Sequence, residues 1–178
     1  PGFFVSVGKT LSGRTILIAI GSHQTSEVWM MAADEPLANP SIIAQRENEI
    51  EYFVEEYADT FYILTNAQGS EDFSILSTPK KAPSRDNWKE LVPHKKGRLI
   101  HEMFVLKNYI IRLEREDGLP RIVIHNLSKG SEHAVGFDEE AYSLGLRAGF
   151  EFDTSLIRFY YSSMTTPSQV FDYDISSQ

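Results

Sequence analysis

Apolar residues in this chain fall into short runs, and few of them recur at the three-and-four spacing of a helix. The runs are rich in β-branched and aromatic residues and end at Gly, Pro, Ser, Asn or Asp, which reads as strands and turns. Four runs look alike: TILIAI from Thr15, FYILTN from Phe61, YIIRLE from Tyr109 and LIRFYY from Leu156, at offsets of 46, 48 and 47 residues. A second family follows each after a polar turn: EVWMMA, DFSILS, RIVIHN and QVFDYD. FFVSVG, EYFVEE, RLIHEM and AYSLGL open the four units, and SIIAQR, WKELVP and EHAVGF close the first three.

Four short strands repeated every 40–50 residues or so predict an all-β chain of about four antiparallel propeller blades. The expected blades are 1–47, 48–95, 96–139 and 140–178, the last lacking its fourth strand. Runs such as TILIAI are apolar on both faces, as expected of strands covered on both sides. A β-sandwich is the alternative architecture, but one solvated face would make its strands alternate more cleanly. The chain opens on Pro1-Gly2 and enters an apolar run at once, and it stops soon after QVFDYD. The expectation is therefore part of a larger ring. Its terminal blades would expose apolar faces and one strand edge, so self-association is expected.

Composition narrows the picture a little. A net charge of −8 disfavours nucleic acid and anionic membrane as partners. The absence of cysteine excludes disulfides and thiolate metal sites. No long apolar run or signal peptide is present, and the expected location is the cytoplasm.

Catalytic signals are sparse. Gly8-Lys9-Thr10 resembles the end of a P-loop, but Phe3 stands where the first glycine belongs. His101-Glu102 begins a zincin-like string, yet Val105 replaces the second histidine. His23, His94, His125 and His133 are scattered, so no metal or other cofactor is expected. There is no G-x-S-x-G elbow: Arg147 occupies the serine position in GLRAG. The hydroxyls of YYSSMTTPSQ lie between the second and third strands of the last unit, in register with GSHQTS, NAQGSE and EREDGLP. They read as turn chemistry and not as nucleophiles. No catalytic residue is assigned. Glu49, Glu51 and Glu55 flank the first strand of the second unit and at strand spacing face one way. They are either an acidic channel wall or ordinary solvated charge.

YSSMTTPSQVFDYD, FYILTN, EDGLPRIVIHNL and WKELVPH together resemble the propeller of the oligopeptidase B branch of the prolyl oligopeptidase family of serine peptidases. The resemblance runs over essentially the whole chain. It implies a seven-bladed propeller that covers the active site of a C-terminal α/β-hydrolase domain and admits short peptides, cleaved after Arg or Lys. It places the Ser-Asp-His triad outside this chain. It also implies that the loop Gly21, Ser22, His23, Gln24 and Thr25 faces the active site, although the arginine and cysteine found near that loop in prolyl oligopeptidase are absent here. A free-standing propeller used for protein interaction is the alternative function, and a propeller glycosidase is a more distant one.

Overall fold

A computed structural model describes residues 2–177. The fold is all-β, with four antiparallel sheets of four, four, four and three strands, each a simple up-and-down meander. This is the architecture of a partial β-propeller. The residues divide into two compact units, 1–95 and 96–178, each holding two sheets.

The first unit begins with β1 (Phe4–Lys9), β2 (Thr15–Gly21), β3 (Ser26–Ala32) and β4 (Ser41–Ala44). Its second sheet is β5 (Tyr52–Tyr57), β6 (Thr60–Thr65), β7 (Ser74–Pro79) and β8 (Lys89–Val92), with a single 3-10 turn at Arg85–Asn87 before β8. The core lies between the two sheets. Val28, Ile43 and Ala44 from one meet Tyr52, Val54, Phe61, Ile63 and Trp88 from the other. Phe61 and Ile63 are fully covered, and burying each such side chain is worth about 1.5–3 kcal/mol. The Tyr52 hydroxyl ties the sheets together. It donates to the Ala44 carbonyl at 2.6 Å and accepts the Val28 amide at 2.8 Å. Burial pushes its pKa up to about 12, so it keeps its proton at any working pH.

The second unit holds β9 (Arg98–Leu106), β10 (Tyr109–Glu116), β11 (Leu119–Asn126) and β12 (Ser131–Ala134), then β13 (Tyr142–Arg147), β14 (Leu156–Ser163) and β15 (Gln169–Asp174). The β10–β11 hairpin turns on Asp117 and Gly118, at φ 52° and 83°. Two positive φ values in a two-residue loop match the right-handed twist of the flanking strands, which is why Asp-Gly is favoured there. Uniform burial of the second strands is seen in β6 and in the first two-thirds of β10. In β14 burial alternates, with Ile157, Phe159 and Tyr161 covered and Leu156 and Arg158 exposed. Among the described residues β15 pairs with β14 alone.

Candidate functional site

The loop at residues 21–25 is a tight turn between β2 and β3. The Ser22 amide donates to the Thr25 carbonyl at 2.9 Å, and the Gln24 amide donates to Ser22 Oγ at 3.3 Å. A Cβ on Gly21 would lie 3.2 Å from that Thr25 carbonyl, so the residue's small size helps close the turn. Thr25 is buried and its hydroxyl donates to the Glu47 carbonyl at 2.8 Å, pinning the loop to the linker that leads into β5. His23 and Gln24 are exposed, and the His23 ring meets Phe4 edge-on at 6.0 Å. The loop therefore presents an imidazole and a carboxamide on a fixed base.

The linker carries two of the three predicted carboxylates. Glu49 adopts φ 62°, which interrupts the strand alternation before β5 begins. The expectation that Glu49, Glu51 and Glu55 all face one way is corrected by that left-handed residue: only Glu51 and Glu55 keep the same parity. Asn66, after β6, holds this corner. Its Oδ1 accepts the Glu51 amide at 2.8 Å and its amide nitrogen donates to the Glu49 carbonyl at 2.9 Å. The 21–25 loop, the 45–51 linker and Asn66 are thus joined at one end of the first unit.

Glu55 lies further along β5, with Oε2 accepting the Leu11 amide at 3.1 Å. Burial, only partly offset by that amide and the Glu56 amide, pushes its pKa up to about 7. Next to it is a carboxylate that the sequence reading passed over. Glu56 is 1% exposed and accepts the Thr10 hydroxyl at 2.9 Å and the Thr15 hydroxyl at 2.8 Å, along with the Ser12 hydroxyl and the Lys80 ammonium. Burial alone would raise its pKa. The hydrogen bonds from Lys80, Ser12, Thr15 and Thr10 outweigh that and hold it below the usual carboxylate value. Strand parity was the available signal, because Glu56 shares its face with Tyr52 and Val54.

In the second unit Ser163, Thr165 and Thr166 hold the turn between β14 and β15. Ser163 Oγ accepts the amides of Thr165 at 3.1 Å and Thr166 at 2.9 Å. The hydroxyls of Thr165 and Thr166 both donate to Glu139 at 2.7 Å, and Tyr161 does so at 2.9 Å. Hydrogen bonding, led by Ser163, holds Glu139 at about 2. An ionised acceptor ringed by donors organises a turn, and among the described residues no histidine bonds Ser163 to form an acid–base pair.

The third sheet contains a buried ionic ladder. Arg112, 3% exposed, grips Glu132 through two 2.8 Å hydrogen bonds and reaches the buried Glu114 through Nε at 2.8 Å. His125 Nδ1 lies 2.9 Å from Glu132. Arg112 is the main cause of a Glu132 pKa of about 2. Among the described residues no three His, Cys, Asp or Glu side chains gather as a metal site, and no helix is long and apolar enough to cross a membrane.

Four-stranded meanders in tandem, with loops tied to inter-sheet linkers, define a propeller segment. The chain belongs to the family of the prolyl oligopeptidase N-terminal β-propeller domain, whose model matches residues 1–178. It is 31% identical over 170 residues to dipeptidyl aminopeptidase BI of Pseudoxanthomonas mexicana, covering 96% of this chain and 23% of the relative. It is 29% identical over 177 residues to Protease 2 of Moraxella lacunata, covering 98% and 25%. Oligopeptidase B from Trypanosoma brucei, solved with covalently bound antipain in a closed form, superposes with a TM-score of 0.91 at 29% identity. That match covers 98% of this chain and 26% of the other. The chain thus spans about a quarter of the length of the relatives it matches.

Proposed function

We propose that this chain is the non-catalytic propeller portion of a cytoplasmic serine oligopeptidase. In this reading it gates the entry of short peptides and docks an α/β-hydrolase domain that carries the Ser-Asp-His triad. The observation that carries the proposal is the family match along the entire chain, together with near-30% identity to Protease 2 and oligopeptidase B. Cleavage after Arg or Lys is proposed from the same likeness. The net charge of −8 suits basic peptides.

In this account the loop 21–25 offers His23 and Gln24 toward passing peptide, while Glu51 contributes negative charge near the channel and Glu55, buried and pushed up to about 7, is only partly ionised at neutral pH. Glu49, turned by its positive φ, contributes at the exposed corner. The chain alone is also proposed to self-associate. Val5 and Val7 on β1 are 65% and 69% exposed, and their cross-strand partners Ile20 and Ile18 extend the same apolar face.

The test uses the polypeptide encoded by the complete reading frame. It should cleave short Arg- or Lys-containing peptides and fall off sharply as peptides lengthen. Turnover indifferent to peptide length would overturn the gating role. A reading frame with no G-x-S-x-G elbow would overturn the assignment to a peptidase and favour an interaction module.

A further inference from the structure

Glu55 and Glu56 are neighbours on β5, so their side chains leave opposite faces of the strand. Glu56 shares the buried face of Tyr52 and Val54, and Glu55 the more open face of Phe53 and Tyr57. Both nonetheless bond the same turn, residues 10–15 between β1 and β2. Glu56 takes the hydroxyls of Thr10, Ser12 and Thr15, and Glu55 Oε2 takes the Leu11 amide at 3.1 Å. One turn of the first sheet is thus held by carboxylates from both faces of one strand of the second. The turn closes on itself through the Gly13 amide, which donates to the Thr10 carbonyl at 2.8 Å, and the Thr10 amide, which donates to the Thr15 carbonyl at 3.0 Å. A further, exposed bond runs from Arg14 Nη1 to the Ala58 carbonyl at 3.4 Å.

The two carboxylates are not equally provided for. Lys80 donates to Glu56 and, at 2.9 Å, to Thr15, so the cation and three hydroxyls all serve Glu56. Glu55 accepts backbone amides, those of Leu11 and Glu56, and makes no ion pair among the described residues. The other charged or titratable groups in the elements around it are Lys9 at the exposed end of β1, Arg14 in the turn, Tyr57 and Asp59 at the β5–β6 hairpin, and Tyr62, its cross-strand partner on β6. Burial, and then the charge of Glu56 alongside, lift the Glu55 pKa to about 7.

We infer that the proton on Glu55 is the latch of this turn: with it residues 10–15 lie closed against β5, and without it the Leu11 amide is released and the turn lifts. Ionisation does not break the bond directly, since an amide favours a charged acceptor. The charged carboxylate instead withdraws to water, away from Glu56, and the amide loses its acceptor. The opposite end of β5 has no such dependence. There Tyr52 clips Ala44 and Val28, and with a pKa of about 12 it keeps its proton. The contact between the first two sheets is therefore fixed at one end and proton-controlled at the other, which is the arrangement of a hinge. The inference is independent of the peptidase reading.

The test is amide hydrogen exchange of residues 10–15 in the purified chain from about pH 5.5 to 8.5, each rate divided by that of the unfolded segment at the same pH. One proton released near pH 7 predicts protection that falls about tenfold from pH 6 to pH 8 and levels off above that. Glu55→Gln, which has no proton to lose, should remove the step. Carboxyl-carbon NMR of the native chain labelled with carbon-13 glutamate should show one resonance titrating with the same midpoint as the exchange step. A flat exchange profile would overturn the inference, as would a step retained in Glu55→Gln or the absence of any glutamate titrating between pH 6 and 8. Protection of residues 10–15 equal to that of β6 at every pH would also overturn it, because the turn would then open only when the whole unit unfolds.

Discussion

The Tyr52 hydroxyl donates to the Ala44 carbonyl at 2.6 Å, so one phenol from β5 closes the end of β4 in the neighbouring sheet. Tyr52 is 1% exposed and also accepts the Val28 amide. Tyr52→Phe keeps the ring and strands both backbone groups. A buried group left without a partner costs about 1–3 kcal/mol. Urea unfolding of the first unit's signal should show a loss of that size, with the m-value unchanged. No loss would mean that the phenol is not the clip between the sheets.

Glu56 and Lys80 form the second clip. Lys80→Met removes the one cation from a carboxylate that is 1% exposed, leaving three hydroxyls to hold it. Breaking a buried pair at one end costs about 3 kcal/mol. The pH dependence has a definite sign. Because the folded state lowers the Glu56 pKa from its ordinary 4.5, its stabilisation is fully present above 4.5 and disappears as pH falls through the lowered value. Glu56→Gln should therefore cost stability at pH 7 and progressively less on acidification. Denaturation midpoints at pH 3, 5 and 7 check it.

Glu55, one residue earlier, carries the opposite sign. Its pKa of about 7 lies above the ordinary 4.5, so the folded state holds a proton that the unfolded chain has released. The resulting stabilisation is complete below pH 4.5 and is lost as pH rises through 7. Glu55→Gln keeps an acceptor for the Leu11 amide and should remove that slope, leaving the variant more stable than the parent at pH 8. A parent chain with no decline between pH 5 and 8 beyond that of the variant would contradict the burial of Glu55.

Arg112 tests the ionic ladder of the third sheet. Arg112→Leu leaves Glu114 without its 2.8 Å partner and Glu132 without both of its guanidinium bonds, at a cost of about 3 kcal/mol. Arg112→Lys should recover only part of this, because an ammonium cannot make the two-pronged contact. The exposed Arg158–Asp172 pair on β14 and β15 has similar geometry in solvent, and Arg158→Ala should leave the unfolding midpoint where it is. Thermal melts of the three variants decide the ranking.

The strands were legible because each is a short β-branched or aromatic run bounded by turn residues, and the period near 47 turned a list of strands into sheets. The YYSSMTTPSQ segment was legible as a turn, but not as a turn organised by Glu139, which lies more than twenty residues earlier. Glu56 was missed for the same reason. Its partners Thr10, Thr15 and Lys80 come from other strands and hairpins, and nothing local marks it out from Glu55. Glu49 was misplaced because a positive φ at a glutamate has no signature in the pattern of apolar positions. Local periodicity reveals which strands form, while the charged groups that join them are fixed by tertiary pairing.

The central claim is that this chain shapes a peptidase without performing its chemistry. The direct measurement is labelling by a fluorophosphonate serine probe, with hydrolysis of an Arg-containing chromogenic peptide read in parallel. Both are applied to the purified chain and to the polypeptide of the complete reading frame. The account predicts no labelling and no turnover for residues 1–178 alone, and both for the complete polypeptide. Turnover by the isolated chain that is abolished by a single Ser→Ala between Ser162 and Ser168 would contradict it.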